Sequence, residues 1–121
     1  MKKLEMKPYR DLLLALRARL RGDVNGMAES LRKRSEAAGD LSSMPIHMAD
    51  IGSDNYEQEF TLGIMESEEG TLELIDAALA RIEEGVYGAC LECGGRIPKM
   101  RLNAIPYTPH CVKCASELES R

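Results

Sequence analysis

The stretch Cys90–Cys114, CLECGGRIPKMRLNAIPYTPHCVKC, holds every cysteine of a 121-residue chain. The thiols fall as two C-x-x-C pairs with seventeen residues between them. Two residues between paired thiols allow a tight knuckle, so both sulfurs can face one tetrahedral ion about 2.3 Å away. Gly94-Gly95 supplies permissive backbone after the first pair, and Pro106 and Pro109 fix the approach to the second. The spacing predicts that Cys90, Cys93, Cys111 and Cys114 hold one structural zinc ion. Four thiolates fill the coordination shell and leave no place for water, so a catalytic zinc is not expected. A redox C-x-x-C would need one pair on a thioredoxin-like βαβ pattern, which the sequence lacks. His110, beside Cys111, reads as a bystander because four sulfurs are already available, and His47 reads as a solvated loop residue.

Working outward, the composition suits one small domain or an elongated module with a small core: 44 % hydrophobic, four Tyr, one Phe and no Trp. The net charge of −4 argues against a general nucleic-acid binder. The opening MKKLEMKPYRDLLLALRARL imitates a secretory signal only briefly, since Arg17 and Arg19 break an apolar run that is already too short. No stretch approaches membrane-spanning length, so the expectation is a cytoplasmic protein without a membrane partner. In a reducing compartment, clustered thiols favour a metal over disulfides. No Ser/His/Asp set, phosphate-binding loop or pocketed carboxylate pair occurs, and an enzyme is not expected.

Upstream of the cysteines, the periodicity predicts two helices. Leu13, Leu16, Leu20, Val24, Met27 and Leu31 recur at steps of three and four, placing a helix over about 9–38. Breakers at Gly39, Pro45 and Gly52 predict a tip loop over about 39–53. Asp54, with Glu57 three residues on, reads as the N-cap of a second helix over about 54–84. Its apolar set is Tyr56, Phe60, Ile64, Thr71, Ile75, Leu79 and Ile82. Two helices of roughly 30 residues, each about 45 Å long, make an antiparallel hairpin the simplest arrangement. Residues 1–40 carry ten Lys/Arg against six Asp/Glu, whereas residues 41–89 carry Arg81 alone against eleven acids. Such segregation favours pairing of one helix with the other. Gly22, Gly26, Gly63 and Gly70 would fall at one level of the hairpin, which points to close helix approach there, with a soft hinge as the other reading. The expected fold is mainly α: a two-helix coiled-coil hairpin over 1–86, then a four-cysteine zinc finger with a short terminal helix over 87–121.

The segment RIEEGVYGACLECGGRIPKMRLNAIPYTPHCVKC, Arg81–Cys114, resembles the DksA/TraR family of bacterial regulators, whose pattern runs R-I-x-x-G-x-Y-G-x-C-x-x-C-G-x-x-I, R-L-x-A-x-P, C-x-x-C. YEQEFTLGIMESEEGTLELIDAAL also resembles the start of that family's second coil helix. The resemblance implies a transcription regulator, probing bacterial RNA polymerase through its secondary channel with acidic residues at the hairpin tip. It implies no sequence-specific DNA contact. The tip departs from the family's D-x-x-D-x-A: here Asp50 and Asp54 stand four apart, with Ala49 before Asp50. Family members that respond to the alarmone ppGpp use basic residues near the zinc end. Here Arg81 is the only cation in the second helix and Ala115 follows the last cysteine, so an alarmone site would lack its donors. Two other readings remain open: a zinc-ribbon nucleic-acid binder using Arg96, Lys99, Arg101 and Lys113, or a coiled-coil adaptor. A monomer is expected, because the helices pair within one chain.

Overall fold

The computed structural model describes residues 1–40 and 48–120, with side chains over 1–36 and 55–120. Four helices follow in order: α1 (Lys3–Asp40), α2 (Met48–Glu84), α3 (Lys99–Ala104) and α4 (Val112–Glu119). Among the described residues, β structure is limited to an antiparallel bridge between Ala89 and Arg96. The chain is mainly α: an antiparallel two-helix hairpin, a small globule carrying the four cysteines, and a short C-terminal helix.

Both long helices begin earlier than the sequence suggested. α1 runs straight through Pro8, because the Glu5 and Met6 amides already close the first turn on the Lys2 carbonyl at 3.0 and 3.1 Å. Pro8 removes one N–H, whose acceptor would be the carbonyl of the exposed Leu4, where water can replace it. α2 begins at Met48, so Asp54 lies within a helix and is not its N-cap. Gly52 fails to break it, since one helical glycine costs only about 1 kcal/mol. Of the expected tip loop, residues 41–47 lie outside the described residues, and 39–40 and 48–53 are helical. α2 ends as expected at Glu84, in a Schellman turn. Gly85 takes φ +77°, its amide bonds Ile82 at 3.1 Å, and the Val86 amide bonds Arg81 at 2.9 Å.

Two compact units can be distinguished, Met1–Arg19 with Thr71–Arg121, and Leu20–Gly70. In the first, Met6 and Leu13 of α1 and Leu72, Ile75 and Ala78 of α2 are buried together with Tyr87, Ile97 and Leu102 of the cysteine-rich segment. Each fully buried Leu or Ile contributes about 1.5–3 kcal/mol relative to exposure. Arg17 meets Asp76 at 2.7 Å and Arg10 meets Glu83 at 3.8 Å, so α1 cations face α2 acids as the charge segregation predicts. These pairs are half exposed and contribute about 0–1 kcal/mol each, so they fix register more than stability.

The second unit is less apolar. Val24 is buried, and Leu20, Met27 and Leu31 are half-buried, as the α1 periodicity predicts. On α2 the half-buried positions are Gln58, Thr61, Met65 and Glu68, which continue into Leu72, Ile75, Leu79 and Ile82 at alternating steps of three and four. That alternation is a coiled-coil seam. Tyr56, Phe60 and Ile64, assigned to the seam from hydropathy, are exposed instead. Successive steps of four advance about 40° beyond a full turn each, so such a run drifts off any straight seam. The Glu68 Oε2 atom is buried in this unit without a hydrogen-bond partner. Arg34 meets Glu57 at 3.6 Å. The four interior glycines do not mark close approach, because a Cβ built on Gly22, Gly26, Gly63 or Gly70 meets nothing within 4 Å.

Candidate metal centre

The first knuckle is built from three backbone hydrogen bonds. Ile97 N–H donates to Gly88 O at 2.8 Å, Cys90 N–H to Gly95 O at 2.8 Å, and Gly94 N–H returns to Cys90 O at 2.9 Å. The last of these needs a turn that Gly94 provides at φ +74°. The Gly95 amide points at the Cys93 sulfur, 3.4 Å away. The second knuckle sits at the start of α4, with Cys111 as its N-cap and Ala115 N–H donating to Cys111 O at 2.9 Å. Leu91 N–H donates to Pro109 O at 2.9 Å and ties the two knuckles together.

The result gathers the sulfurs of Cys90, Cys93, Cys111 and Cys114 within 4.8 Å of one another. Cys93 and Cys111 sulfurs stand 3.9 Å apart. A tetrahedral zinc with bonds of about 2.3 Å requires sulfur–sulfur edges of about 3.8 Å, so the cage fits the ion. Cys90 and Cys114 are buried and Cys93 is exposed. Backbone N–H groups, that of Cys93 foremost, bring the Cys90 thiol down to about 6. Hydrogen bonding to Cys111, and then burial, push Cys114 well above the ordinary thiol value. Cys90 and Cys114 are thus pushed in opposite directions within one cluster, and a divalent cation would bind both as thiolates by displacing their protons.

The cage is held by residues that the spacing did not single out. Arg101 Nε donates to the His110 carbonyl at 2.9 Å, and the Thr108 hydroxyl donates to the same oxygen at 3.1 Å. Together they fix the backbone entering Cys111. His110 therefore contributes its carbonyl, and the metal-ligating group contains the four cysteines. Arg101 is committed to this internal bond, which removes one of the four cations that a nucleic-acid face would use. The Tyr87 hydroxyl donates to Pro106 O at 2.8 Å, and its ring lies 5.6 Å from that of Tyr9 at 45°. Tyr9 in turn donates to Asn103 Oδ1 at 2.7 Å, linking α1 to α3. Burial pushes the Tyr87 hydroxyl up to about 12, with Tyr9 adding and Arg81 opposing. Arg81 is itself buried beside it, and burial lowers its guanidinium from the usual value. The two acids expected at the tip, Asp50 and Asp54, have backbones in α2, but their side chains lie outside the described residues.

A closed four-thiolate cage packed at the roots of an antiparallel helical hairpin defines a C4-type zinc-finger protein with one structural metal ion. Residues 85–120 match the prokaryotic DksA/TraR C4-type zinc finger. The structure is similar to that of the transcription factor DksA2 from Pseudomonas aeruginosa, with a TM-score of 0.79 and 32 % identity, covering 100 % of this chain and 88 % of that one. The chain belongs to the DksA/TraR family. It is 46 % identical over 81 residues to an uncharacterized protein of Aquifex aeolicus, covering 67 % of this chain and 56 % of that protein. It is 27 % identical over 117 residues to the RNA polymerase-binding transcription factor DksA of Caulobacter vibrioides, covering 97 % of this chain and 78 % of that one. The chain thus spans little more than half the length of the Aquifex relative. DksA2 and the Caulobacter protein are both transcription factors, and no described helix is long and apolar enough to cross a membrane.

Proposed function

We propose that the chain is a cytoplasmic transcription regulator that binds bacterial RNA polymerase and enters its secondary channel with the tip of the α1–α2 hairpin. The observation that carries this reading is the likeness to DksA2 over the full length of the chain at 32 % identity. The Caulobacter relative's role as an RNA polymerase-binding transcription factor agrees with it. Functionally, residues 1–86 act as the probe and 87–121 as the base, with zinc ordering the base and taking no part in chemistry. Asp50 and Asp54 are the tip acids, acting near the polymerase active centre. The regulator works as a monomer and does not read DNA sequence.

The test uses zinc-loaded protein with purified bacterial RNA polymerase, measuring affinity and the lifetime of an open promoter complex. Wild-type binding that changes the lifetime, with Asp50→Asn or Asp54→Asn losing the effect but keeping affinity, is the expected result. Binding with unaltered lifetime in every variant would reduce the protein to a channel occupant. Absence of binding would remove the polymerase reading.

A further inference from the structure

Tyr56, Phe60 and Ile64 keep 71, 62 and 37 % of their surface exposed. At successive steps of four they stack along one side of α2 over about 12 Å, on the side turned away from the seam positions Gln58, Thr61 and Met65. Two of the chain's five aromatic residues are therefore spent on a surface. By contrast, Tyr87 is buried and Tyr9 stacks against it. Large side chains at helical spacing on an unpaired face are the anchors by which a helix seats in an apolar groove.

The charge around them narrows the occupant. Residues 55–70 contain five Glu and no Lys or Arg. Glu59 and Glu66 flank the stripe on one side and Glu57 on the other. Of these three, Glu57 meets Arg34, and Glu59 and Glu66 have no ion pair among the described residues. A second copy presenting the same face would bring like charges together, and isologous contact opposes itself here. Nucleic acid and anionic lipid are repelled for the same reason. What fits is a protein surface with an apolar floor and basic edges.

We infer that the Tyr56–Phe60–Ile64 face of α2 is the docking surface by which the hairpin grips RNA polymerase, in a groove of that chemistry. The inference rests on the polymerase reading above and adds a division of labour within it. This face supplies affinity, and the tip acids supply the effect on the promoter complex. Affinity therefore falls with added salt, and reversing the flanking charges weakens it further.

The experiment measures affinity of full-length, zinc-loaded protein for purified RNA polymerase at two salt concentrations. The variants are Tyr56→Ser/Phe60→Ser and Glu59→Lys/Glu66→Lys, with zinc content and helicity checked for each and sedimentation run in parallel. All four side chains are exposed, so the fold is retained. The expected result is a loss of at least about 30-fold for the serine pair, and a smaller, salt-dependent loss for the lysine pair. Wild-type binding with undiminished affinity of the serine pair would overturn the inference and leave the polymerase reading intact. Loss of a wild-type self-association, with polymerase affinity unchanged, would overturn it in favour of a second copy. Failure of the wild type to bind polymerase would overturn the polymerase reading, and this inference with it.

Discussion

Tyr87 shows how a residue outside the cage supports it. Its hydroxyl is buried, donates to Pro106, and titrates near 12 in place of the ordinary 10. A hydroxyl whose folded value lies above its unfolded one keeps its proton longer in the folded chain. That contribution is whole below about pH 10 and is lost as the pH rises toward 12. Tyr87→Phe should cost about 1 kcal/mol at neutral pH through the lost hydrogen bond. It should also abolish the late tyrosinate step in an ultraviolet titration and flatten the fall in stability between pH 10 and 12. A tyrosinate step unchanged in the variant would assign it to another tyrosine. At this scale the sequence was uneven evidence. The four ligands were legible because knuckle spacing is local. Arg101–His110 and Tyr87–Pro106 were not, because both depend on where the chain returns after α3.

The two long helices differ in what holds them along their length. Around Leu13, Leu72 and Ile75 the seam is apolar and closed, whereas at Gln58, Thr61 and Glu68 it is polar. Glu68→Met should stabilise the protein by about 1–3 kcal/mol, because it removes a buried oxygen that lacks a partner. A midpoint of urea denaturation that falls would contradict this. Gly63→Ala should add up to about 1 kcal/mol, since the site is open and only helix propensity changes. Amide exchange over 20–36 and 55–70 should be faster than over 71–84, and Gly63→Ala should slow it. The hairpin itself was legible in the sequence, and so was the α1 face, because its apolar steps coincide with the seam. On α2 the lower positions Ile75, Leu79 and Ile82 lie on the seam as expected, but over 55–70 the face was misread for a physical reason. The seam there uses polar residues while Tyr56, Phe60 and Ile64 lie outside, so hydropathy alone pointed to the wrong side of that stretch. The start of α2 was also misjudged, because glycine and a capping-type pair suggested a boundary that helix propagation overrides.

At the scale of the molecule, the metal is a folding partner. Structural zinc supplies about 10–16 kcal/mol in small thiolate domains, more than the few buried side chains of residues 87–120 could provide by themselves. A strong chelator should therefore abolish the near-ultraviolet tyrosine signal and amide protection over 87–120, while much of the far-ultraviolet helix signal remains. Retained protection after verified zinc loss would show that the globule holds without its ion. Acid should release the metal as well, since the ligands bind it as thiolates. The unit that holds the cage also has an unusual order of assembly. Its Tyr9–Asn103 bond joins residues 94 apart in sequence, and its members are Met1–Arg19 and Thr71–Arg121. On a ribosome adding about 5–20 residues each second, Tyr9 precedes Asn103 by roughly 5–19 s. For roughly 3–12 s of that interval, until Leu72 and Ile75 follow, the Leu13 face of the nascent helix has no cover of its own, so its first companion during synthesis is whatever chaperone or tunnel wall the cell provides.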